Sequence, residues 1–317
     1  MMKGVDIMPD SPTNTASLEK LRLKKRAKLK NTGNILLFLL PPLLVYGLYN
    51  VYGIIRTFYF STMKWTGLSD RMTFVGLENH LRAIQDPKLW LALVNNLKLV
   101  AASVLVQITL GLVLALIVNS TLRGTKMLRT VYYMPMLLST VATGILWMQM
   151  YDPYYGLVNY LLGAVGLENW QHAWLGLPQT SLYAVLFVIC WQYTPQYMIL
   201  IRAGMTNISD DIYEAATIDG ANKIQQFWRI TFPLVMPTIK TAAVLSLVGS
   251  LKYFDLIYVM TGGGPNGSSE LMATYMYKKG FAEANMGYAS AIAVFMFMVS
   301  LILVASFLAT TRKREAK

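Results

Sequence analysis

Hydroxyl and charged side chains interrupt an apolar stretch of the chain around residue 250. The interruption comprises Ser250, Lys252, Tyr253 and Asp255, all within six consecutive positions. Groups of these types are costly inside a membrane, so they are retained where they contact a solute or a partner charge. Two interpretations are open. Lys252 and Asp255, three residues apart, form a structural ion pair between helices, or the group lines a polar path for a solute; the ion pair is slightly favoured.

The residue types that catalysis or metal binding requires are sparse. Cys190 is the only cysteine and lies inside an apolar run, and His80 and His172 are far apart in predicted loops. The pattern G-x-x-x-x-G-K-[ST] does not occur in the sequence, so the chain has no such nucleotide-binding loop of its own. The glycine run at 262–264 lacks the lysine and is expected to be a turn. We therefore expect a chain without catalytic residues, metal ligands or a cofactor of its own.

Composition places these residues in a membrane. Hydrophobic residues make up 55% of the 317 positions and charged residues only 14%, whereas soluble domains carry about 25% charged residues. A span needs about 20 apolar residues to cross the hydrocarbon layer. Six stretches qualify, near 35–55, 97–118, 131–151, 181–201, 241–260 and 288–308. We expect an all-α integral membrane fold of six transmembrane helices, with a kink at Pro41 and Pro42 in the first.

The basic residues orient the spans. If both ends are cytoplasmic, the inner segments hold 19 of the 28 Lys and Arg residues and the outer segments hold 6. Lys and Arg are enriched on the cytoplasmic side of membrane proteins, so both termini are expected inside. The predicted organisation is a basic tail at 1–32, a transmembrane domain at 33–310 and a second basic tail at 311–317. Because the charge flanks spans, binding to lipid is favoured and binding to nucleic acid is not.

A long polar loop, Asp210–Pro237, follows the fourth span on the cytoplasmic side. Ser209 or Asp210 can cap a first short helix, which Gly220 is expected to end. Pro233 is expected to break a second helix before the fifth span. That second helix would place Ile224, Phe227, Trp228 and Thr231 on one stripe. The residues themselves leave two interpretations open: an elbow lying on the inner leaflet, or a rigid lever that inserts into a partner.

The same loop resembles the EAA loop of binding-protein-dependent ABC importer permeases. The matching residues are Glu214, Ala215, Ala216, Asp219, Gly220, Ala221, Phe227, Ile230 and Pro233. Phe232 stands where the family usually has Leu, and Ser209 replaces a proline that is common before the motif. Residues 74–79 (FVGLEN), 129–135 (RTVYYMP) and 261–265 (TGGGP) are similar to elements of the carbohydrate branch, close to maltose-type and glycerol-phosphate-type permeases.

This resemblance implies a type I ABC importer permease in a bacterial or archaeal cell (inner) membrane, importing a carbohydrate such as an oligosaccharide. The loop at 205–237 would couple the spans to two separate ABC ATPase subunits, which bind ATP and Mg²⁺. A second, related but non-identical permease chain and an extracytoplasmic sugar-binding protein would complete the complex. In the family this segment borders the sugar site, so the resemblance makes Tyr253 and Asp255 candidates for sugar contact. The expected substrate path is Ser250, Tyr253, Phe254, Asp255, Gln192 and Tyr193. Gln149 and Lys98 are weaker candidates.

Three further interpretations stay open. The aromatic-rich outer segment at 152–180 is expected to lie at the membrane interface rather than to form a sugar platform. The stretch at 17–30 is expected to be either a surface helix on anionic lipid or a solvated tail. A secondary carrier would need no ATPase, but the sequence shows no repeat of its two halves and gives such a carrier no use for the long inner loop.

Overall fold

The computed structural model describes residues 37–119 and 124–315, and the architecture is almost entirely helical. The predicted tail at 1–32 and the stretch at 17–30 lie outside the described residues. Thirteen helices in the described ranges are α1 (Leu37–Ser61), α2 (Glu78–Gln85), α3 (Pro87–Asn119), α4 (Thr125–Leu137), α5 (Thr140–Met150), α6 (Leu157–Ala164), α7 (Ser181–Met205), α8 (Asp210–Ile218), α9 (Lys223–Gln226), α10 (Phe232–Leu251), α11 (Asp255–Met260), α12 (Met272–Tyr277) and α13 (Met286–Glu315). A two-stranded antiparallel sheet, β1 (Met63–Lys64) with β2 (Thr73–Phe74), pairs Met63 with Phe74.

The chain divides into two units, residues 1–57 and 58–317. The described part of the first unit is residues 37–57 of α1, whose large apolar side chains are exposed, as in a helix that faces lipid. Among the candidate membrane spans of the second unit, α7 is the most buried. Val185, Val188, Met198 and Ile201 are fully buried along it, where it packs against α3 and α10. The apolar core therefore follows the length of α7.

Five described helices are long and apolar enough to span a membrane. If the bent pair α4–α5 is counted as one further span, the number is six. This confirms the expected number, but the predicted continuous span at 131–151 is wrong. The axes of α4 and α5 differ by 99°, with Leu138 and Ser139 extended between them. Pro135 lies near the end of α4 and has no N–H for an intrahelical hydrogen bond, which favours a break at this place.

The predicted span at 241–260 is also interrupted. α10 ends at Leu251 and α11 begins at Asp255, so Lys252, Tyr253 and Phe254 are not helical. At its other end the expected break at Pro233 is wrong, because helical backbone continues from α9 through a π-helical turn, Phe227–Thr231, into α10. The turn widens the hydrogen-bond register, with Phe232 N–H bonded to Phe227 O. It thereby accommodates the proline that follows, since a proline clashes with the carbonyl four residues before it in a regular helix.

Two helices extend beyond their predicted limits. α3 begins at Pro87 rather than near 97, because Asp86 caps it by accepting a hydrogen bond from Lys88 N at 2.9 Å. α13 continues to Glu315, so most of the tail predicted at 311–317 is helical. Polar residues at both extensions lowered the local hydropathy and concealed these turns from a composition-based prediction.

The outer segment at 152–180 is more ordered than the expected interfacial loop. It contains α6 and a short 3₁₀ turn, Glu168–Trp170. Asn159 donates hydrogen bonds to the carbonyls of Pro153 (3.2 Å) and His172 (3.1 Å) and accepts one from Trp174 Nε1 (2.8 Å). One buried amide therefore holds the segment together.

Candidate functional site

The loop after α7 folds into two short helices, as predicted, and its first helix begins at a serine cap. Ser209 has extended backbone, and its Oγ accepts a hydrogen bond from Asp211 N at 3.3 Å. Asp210 and Asp211 occupy the first turn, where carboxylates interact favourably with the helix dipole. Of the two candidate caps, the structure uses Ser209.

Gly220 ends α8, as predicted, by adopting the left-handed conformation with φ +79°. Ala221 N–H then bonds to Ala216 O at 2.9 Å, and Gly220 N–H bonds to Thr217 O at 3.0 Å. This pair of hydrogen bonds is a Schellman motif, which satisfies the last carbonyls of a helix. Ala216 and Ala221, two residues of the sequence motif, are thus joined at the turn.

Side-chain hydrogen bonds brace α8 against the following helix. Asn222 caps α9 in a capping box with Gln225. Gln226 is buried, and its Nε2 donates to Thr217 Oγ1 at 2.9 Å. The hydroxyls of Tyr213 and Thr231 share a hydrogen bond of 2.9 Å. We call residues 209–233 the elbow; these bonds make it a rigid body rather than two independent helices.

The elbow exposes part of the sequence motif. Glu214, Ala215, Asp219 and Gly220 are exposed, whereas Ala216, Ala221, Phe227 and Ile230 are half-buried and Pro233 is exposed at the start of α10. The expected stripe on the second helix does not face a single environment. Trp228 is 59% exposed and Ile224 is 71% exposed, whereas Thr231 is buried. The exposed apolar side chains leave the elbow with a surface that can contact lipid or another protein.

A polar cavity of about 350 Å³ opens between α3, α7, α10 and the break before α11. Its polar and aromatic lining comprises Ser103, Gln107, Tyr193, Gln196, Tyr197, Ser246, Ser250, Lys252, Tyr253, Phe254 and Asp255. Tyr193 lies midway along α7, so the cavity lies about halfway along that span. A volume in the range of roughly 300 to 1,000 Å³ is typical of small-molecule sites.

Irregular backbone borders the cavity on two sides. On α3 the lining residues Ser103 and Gln107 belong to a π-helical turn, a feature that is frequent at functional sites. On the opposite side is the non-helical stretch Lys252–Phe254. Non-helical backbone at membrane depth is tolerated where it is buried in protein or lines a cavity. The interruption of the fifth span is therefore itself a sign of a site.

The structure brings most of the predicted substrate path together. Ser250, Tyr253, Phe254, Asp255 and Tyr193 all line the cavity. The rings of Tyr193 and Tyr253 lie perpendicular with their centroids 6.1 Å apart. The buried hydroxyl oxygen of Tyr253 has no hydrogen-bond partner in the described part of the chain.

Gln192 does not line the cavity, so the structure does not bring it together with the other residues of the predicted substrate path. Its Nε2 donates to Leu138 O and to Thr143 Oγ1, both at 3.3 Å. It therefore satisfies a carbonyl at the bend between α4 and α5. Of the weaker candidates, Lys98 Nζ lies over the Tyr183 ring at 5.8 Å, and neither Lys98 nor Gln149 lines the cavity.

The ion pair considered for Lys252 and Asp255 does not form among the described residues. The helical spacing on which it depended is absent, because the chain between them is not helical. Both side chains are instead exposed at the cavity. The structure therefore favours the second interpretation of this group, a polar lining.

Sequence reasoning missed Ser103, Gln107, Gln196, Tyr197 and Ser246 as lining residues. They lie on three different helices and share no short motif. Gln196, three residues from Tyr193 on α7, was the accessible signal, because residues at this spacing share a helix face.

A second cluster of polar groups lies where α3 begins. Asp86 Oδ2 accepts hydrogen bonds from Tyr275 OH at 2.5 Å and Tyr288 OH at 2.6 Å. Burial alone would raise the pKa of Asp86, but these bonds and the backbone amides of Lys88 and Leu89 outweigh it and hold the pKa below its usual value. Burial and the neighbouring carboxylate raise the pKa of Tyr275. Within the described ranges, no group of three or more His, Cys, Asp or Glu residues could hold a metal ion.

Known proteins resemble this chain over most of its length. The family model described as "Binding-protein-dependent transport system inner membrane component" matches residues 107–314. A probable ABC transporter permease of Pyrococcus horikoshii is 37% identical over 284 residues, covering 89% of this chain and 97% of that protein. The trehalose/maltose transport system permease protein MalF of Thermococcus litoralis is 34% identical over 282 residues, covering 88% of this chain and 94% of that protein.

A solved structure shares the fold. It is a bacterial alginate ABC transporter in complex with an alginate pentasaccharide-bound periplasmic protein. The matching chain superposes with a TM-score of 0.80 at 24% sequence identity, covering 90% of this chain and 96% of that one. At this identity the likeness concerns the fold alone.

Proposed function

We propose that this chain, which belongs to the family of binding-protein-dependent transport system inner membrane components, forms the path of a carbohydrate through an ATP-driven importer. The chain is a multi-pass membrane permease and not an enzyme. The observation that carries the proposal is a polar cavity halfway along the spans, on the same helix, α7, that leads into an exposed and internally braced elbow. One chain thus carries both a cavity for the solute and a loop that could dock on an ATPase.

The substrate class rests on the chemistry of the cavity. Sugars present hydroxyl groups and apolar ring faces, and aromatic side chains with a few placed polar groups suit both. Tyr193, Tyr253 and Phe254 supply aromatic rings, while Ser250 and Asp255 supply hydrogen-bonding groups. The relative named for trehalose and maltose transport agrees with this class.

The elbow would transmit the motion of a separate ATPase. Glu214 and Ala215 are exposed on α8 and would dock in that subunit, while Gln226 keeps α9 in step with α8. ATP and Mg²⁺ would be held by two ATPase subunits and not by this chain. A displacement of the docked elbow then passes to α7 and α10, which border the cavity, as a rigid-body movement between two states.

The remaining parts of the assembly follow from the same proposal. A second, related permease chain would complete the path, and an extracytoplasmic binding protein would deliver the sugar to the side opposite the elbow. Both termini of this chain would be cytoplasmic, in keeping with the excess of basic residues there.

Reconstituted transport tests the proposal. The chain is purified from its native membrane, its partners are identified by mass spectrometry, and the complex is placed in liposomes with the co-purified binding protein. We expect uptake of radiolabelled maltose, trehalose or a longer oligosaccharide that depends on ATP, and no uptake of leucine. Uptake of leucine and no sugar would reject the carbohydrate class.

A matched pair of charge reversals tests the role of the elbow. Glu214→Lys changes an exposed acid of α8, and Glu168→Lys changes an exposed acid of the outer segment. We expect Glu214→Lys to lose the ATPase subunits on purification and to abolish uptake, while Glu168→Lys retains both. Wild-type transport by the Glu214→Lys complex would reject the docking role.

A further inference from the structure

The break in the fifth span leaves helix carbonyls that need partners inside the membrane. The last four carbonyls of an α-helix have no partner within it, and each unsatisfied group at membrane depth is costly. At the end of α10, Ser250 O accepts a backbone hydrogen bond from Tyr253 N at 3.4 Å, and the side chain of Asn96 supplies further donors. Its Nδ2 lies 2.9 Å from Ser250 O and 3.3 Å from Leu251 O. Asn96 is 154 residues away from Ser250 in the sequence.

The same side chain also holds a third helix. Asn96 Oδ1 accepts a hydrogen bond from the backbone amide of Met272, the first residue of α12, at 2.9 Å. Asn96 and Met272 are both fully buried. One amide group therefore joins α3, the end of α10 and the start of α12, and it uses both its donor and its acceptor atoms to do so.

The neighbouring residue reinforces this attachment. Asn95 Nδ2 donates to Ser268 O at 2.9 Å and to Glu270 O at 3.0 Å. The pair Asn95–Asn96 thus attaches α3 to the chain on both sides of α11. The stretch Lys252–Phe254, which carries cavity residues, lies between these attachments.

We propose that Asn96 is the positioning residue of the substrate path. It does not line the cavity, so it would act by fixing the backbone that presents Ser250, Tyr253 and Asp255 to the solute. This inference rests on the proposed function in that the cavity is the substrate path. The chemistry requires an amide, because a carboxylate of the same shape has no N–H donors and would repel the two carbonyls.

The chain contains a matched control. Asn159 is also buried, donates to two backbone carbonyls and accepts one hydrogen bond, but it does so in the outer segment. Asn159→Asp therefore removes the same kind of bonds as Asn96→Asp at a place remote from the break.

The rate of cysteine labelling at residue 255 reports how the break between α10 and α11 is positioned, and it can be measured without transport. In a Cys190→Ser background, Asp255→Cys is labelled with a membrane-impermeant thiol reagent in vesicles that carry the whole complex. We expect Asn96→Asp to change the labelling rate by about fivefold to thirtyfold, the effect of losing one or two buried hydrogen bonds. Asn159→Asp should leave the rate as it is.

Uptake with Asp255 restored provides a second readout. We expect Asn96→Asp to change the ratio of maltose to maltotriose uptake, whereas a merely structural loss lowers both in proportion, as expected for Asn159→Asp. If Asn96→Asp is not recovered in the membrane, Asn96→Ser, which retains one donor, takes its place. Labelling and selectivity equal to those of the Asn159→Asp complex would overturn the role of Asn96. Absence of sugar uptake by the wild-type complex would instead reject the substrate class.

Discussion

The side-chain amide of Gln226 donates a hydrogen bond to Thr217 Oγ1 across 2.9 Å and thereby joins the two helices of the elbow. The same Nε2 also lies 3.3 Å from Ala221 O, at the turn between the helices. Gln226 is buried although the residues around it in α9 are exposed. In the proposed coupling role, a displacement of α8 would reach α9 through this buried polar contact.

Removing that contact is expected to uncouple transport from ATP hydrolysis. Gln226→Leu keeps the approximate size of the side chain but loses its three hydrogen bonds, including the one that Oε1 accepts from Lys223 Nζ at 3.3 Å, while the exposed surface of α8 is unchanged. We expect the ATPase still to co-purify, and the sugar transported per ATP hydrolysed to fall about fivefold or more. Gln171→Leu, which removes a hydrogen bond to Asn159 O in the outer segment, is the control. If the amount of sugar transported per ATP hydrolysed is unchanged in Gln226→Leu, the hydrogen bonds of Gln226 do not couple α8 to α9 during transport.

The turn of the elbow provides a second test with a close match elsewhere in the chain. Gly220 and Gly166 have φ values of +79° and +78°, and an added Cβ would meet nothing within 4 Å at either. Alanine at each position therefore carries the same backbone penalty, about 1 to 2 kcal/mol. We expect Gly220→Ala to lower coupled ATPase activity and Gly166→Ala to leave it unchanged, at equal thermal stability. Equal activity in the two variants would argue against a role for the turn.

The limits of several elements follow from local chemistry and were predictable from the sequence. The turn at Gly220 needs only a left-handed residue after a helix, and the cap at Ser209 needs only a hydroxyl before acids. The number of crossings follows from runs of apolar residues alone. Short-range rules suffice wherever the stabilising partner is a sequence neighbour.

The interruptions of the spans were not predictable, because their partners are remote. Leu138 O accepts a hydrogen bond from Gln192, and Leu251 O, at the end of α10, accepts one from Asn96. A hydropathy average reads both regions as continuous spans, since the exposed backbone is stabilised by side chains more than 50 residues away. For the same reason the hydrogen bonds of Gln192 at the bend were not predictable from the sequence.

The hydrogen bonds to Asp86 predict a pH-dependent stability. The pKa of Asp86 is lower in the folded protein than its ordinary value of 3.8. Such a carboxylate stabilises the fold above its unfolded pKa, and this contribution is lost as the pH falls through the lower, folded value. We expect Asp86→Asn to lower the free energy of unfolding by about 1 to 3 kcal/mol at pH 7. The difference in unfolding free energy between wild type and Asp86→Asn should become smaller as the pH falls below 3.8.

Thermal unfolding in detergent between pH 7 and pH 3 measures this difference. Asp70→Asn, which alters an exposed aspartate between β1 and β2, corrects for the general effect of acid on stability. A constant difference between wild type and Asp86→Asn across the whole range would show that the carboxylate charge plays no part. Tyr275→Phe, which removes one of the two phenolic donors, should shift stability in the same direction by less.

Two adjacent glycines after α11 allow the cost of backbone strain to be distinguished from the cost of side-chain crowding. Gly262 and Gly263 both have positive φ, +56° and +83°. An added Cβ would meet nothing within 4 Å at Gly262, but at Gly263 it would lie 2.6 Å from the carboxylate of Glu270. That carboxylate is buried and paired with Lys278, so moving it aside disturbs an ion pair.

We therefore expect the two alanine variants to differ in stability. Gly262→Ala should cost about 1 to 2 kcal/mol from its backbone alone, and Gly263→Ala should cost a further 1 to 3 kcal/mol from crowding and disturbance of the Glu270 pair. In a Glu270→Ala background the carboxylate is absent, so the excess at Gly263 should vanish. Chemical unfolding of the four variants and their parents measures this coupling. If Gly263→Ala still costs more stability than Gly262→Ala when Glu270 is absent, the crowding arises elsewhere in the turn. Contact with the Glu270 carboxylate would then not explain why position 263 is a glycine.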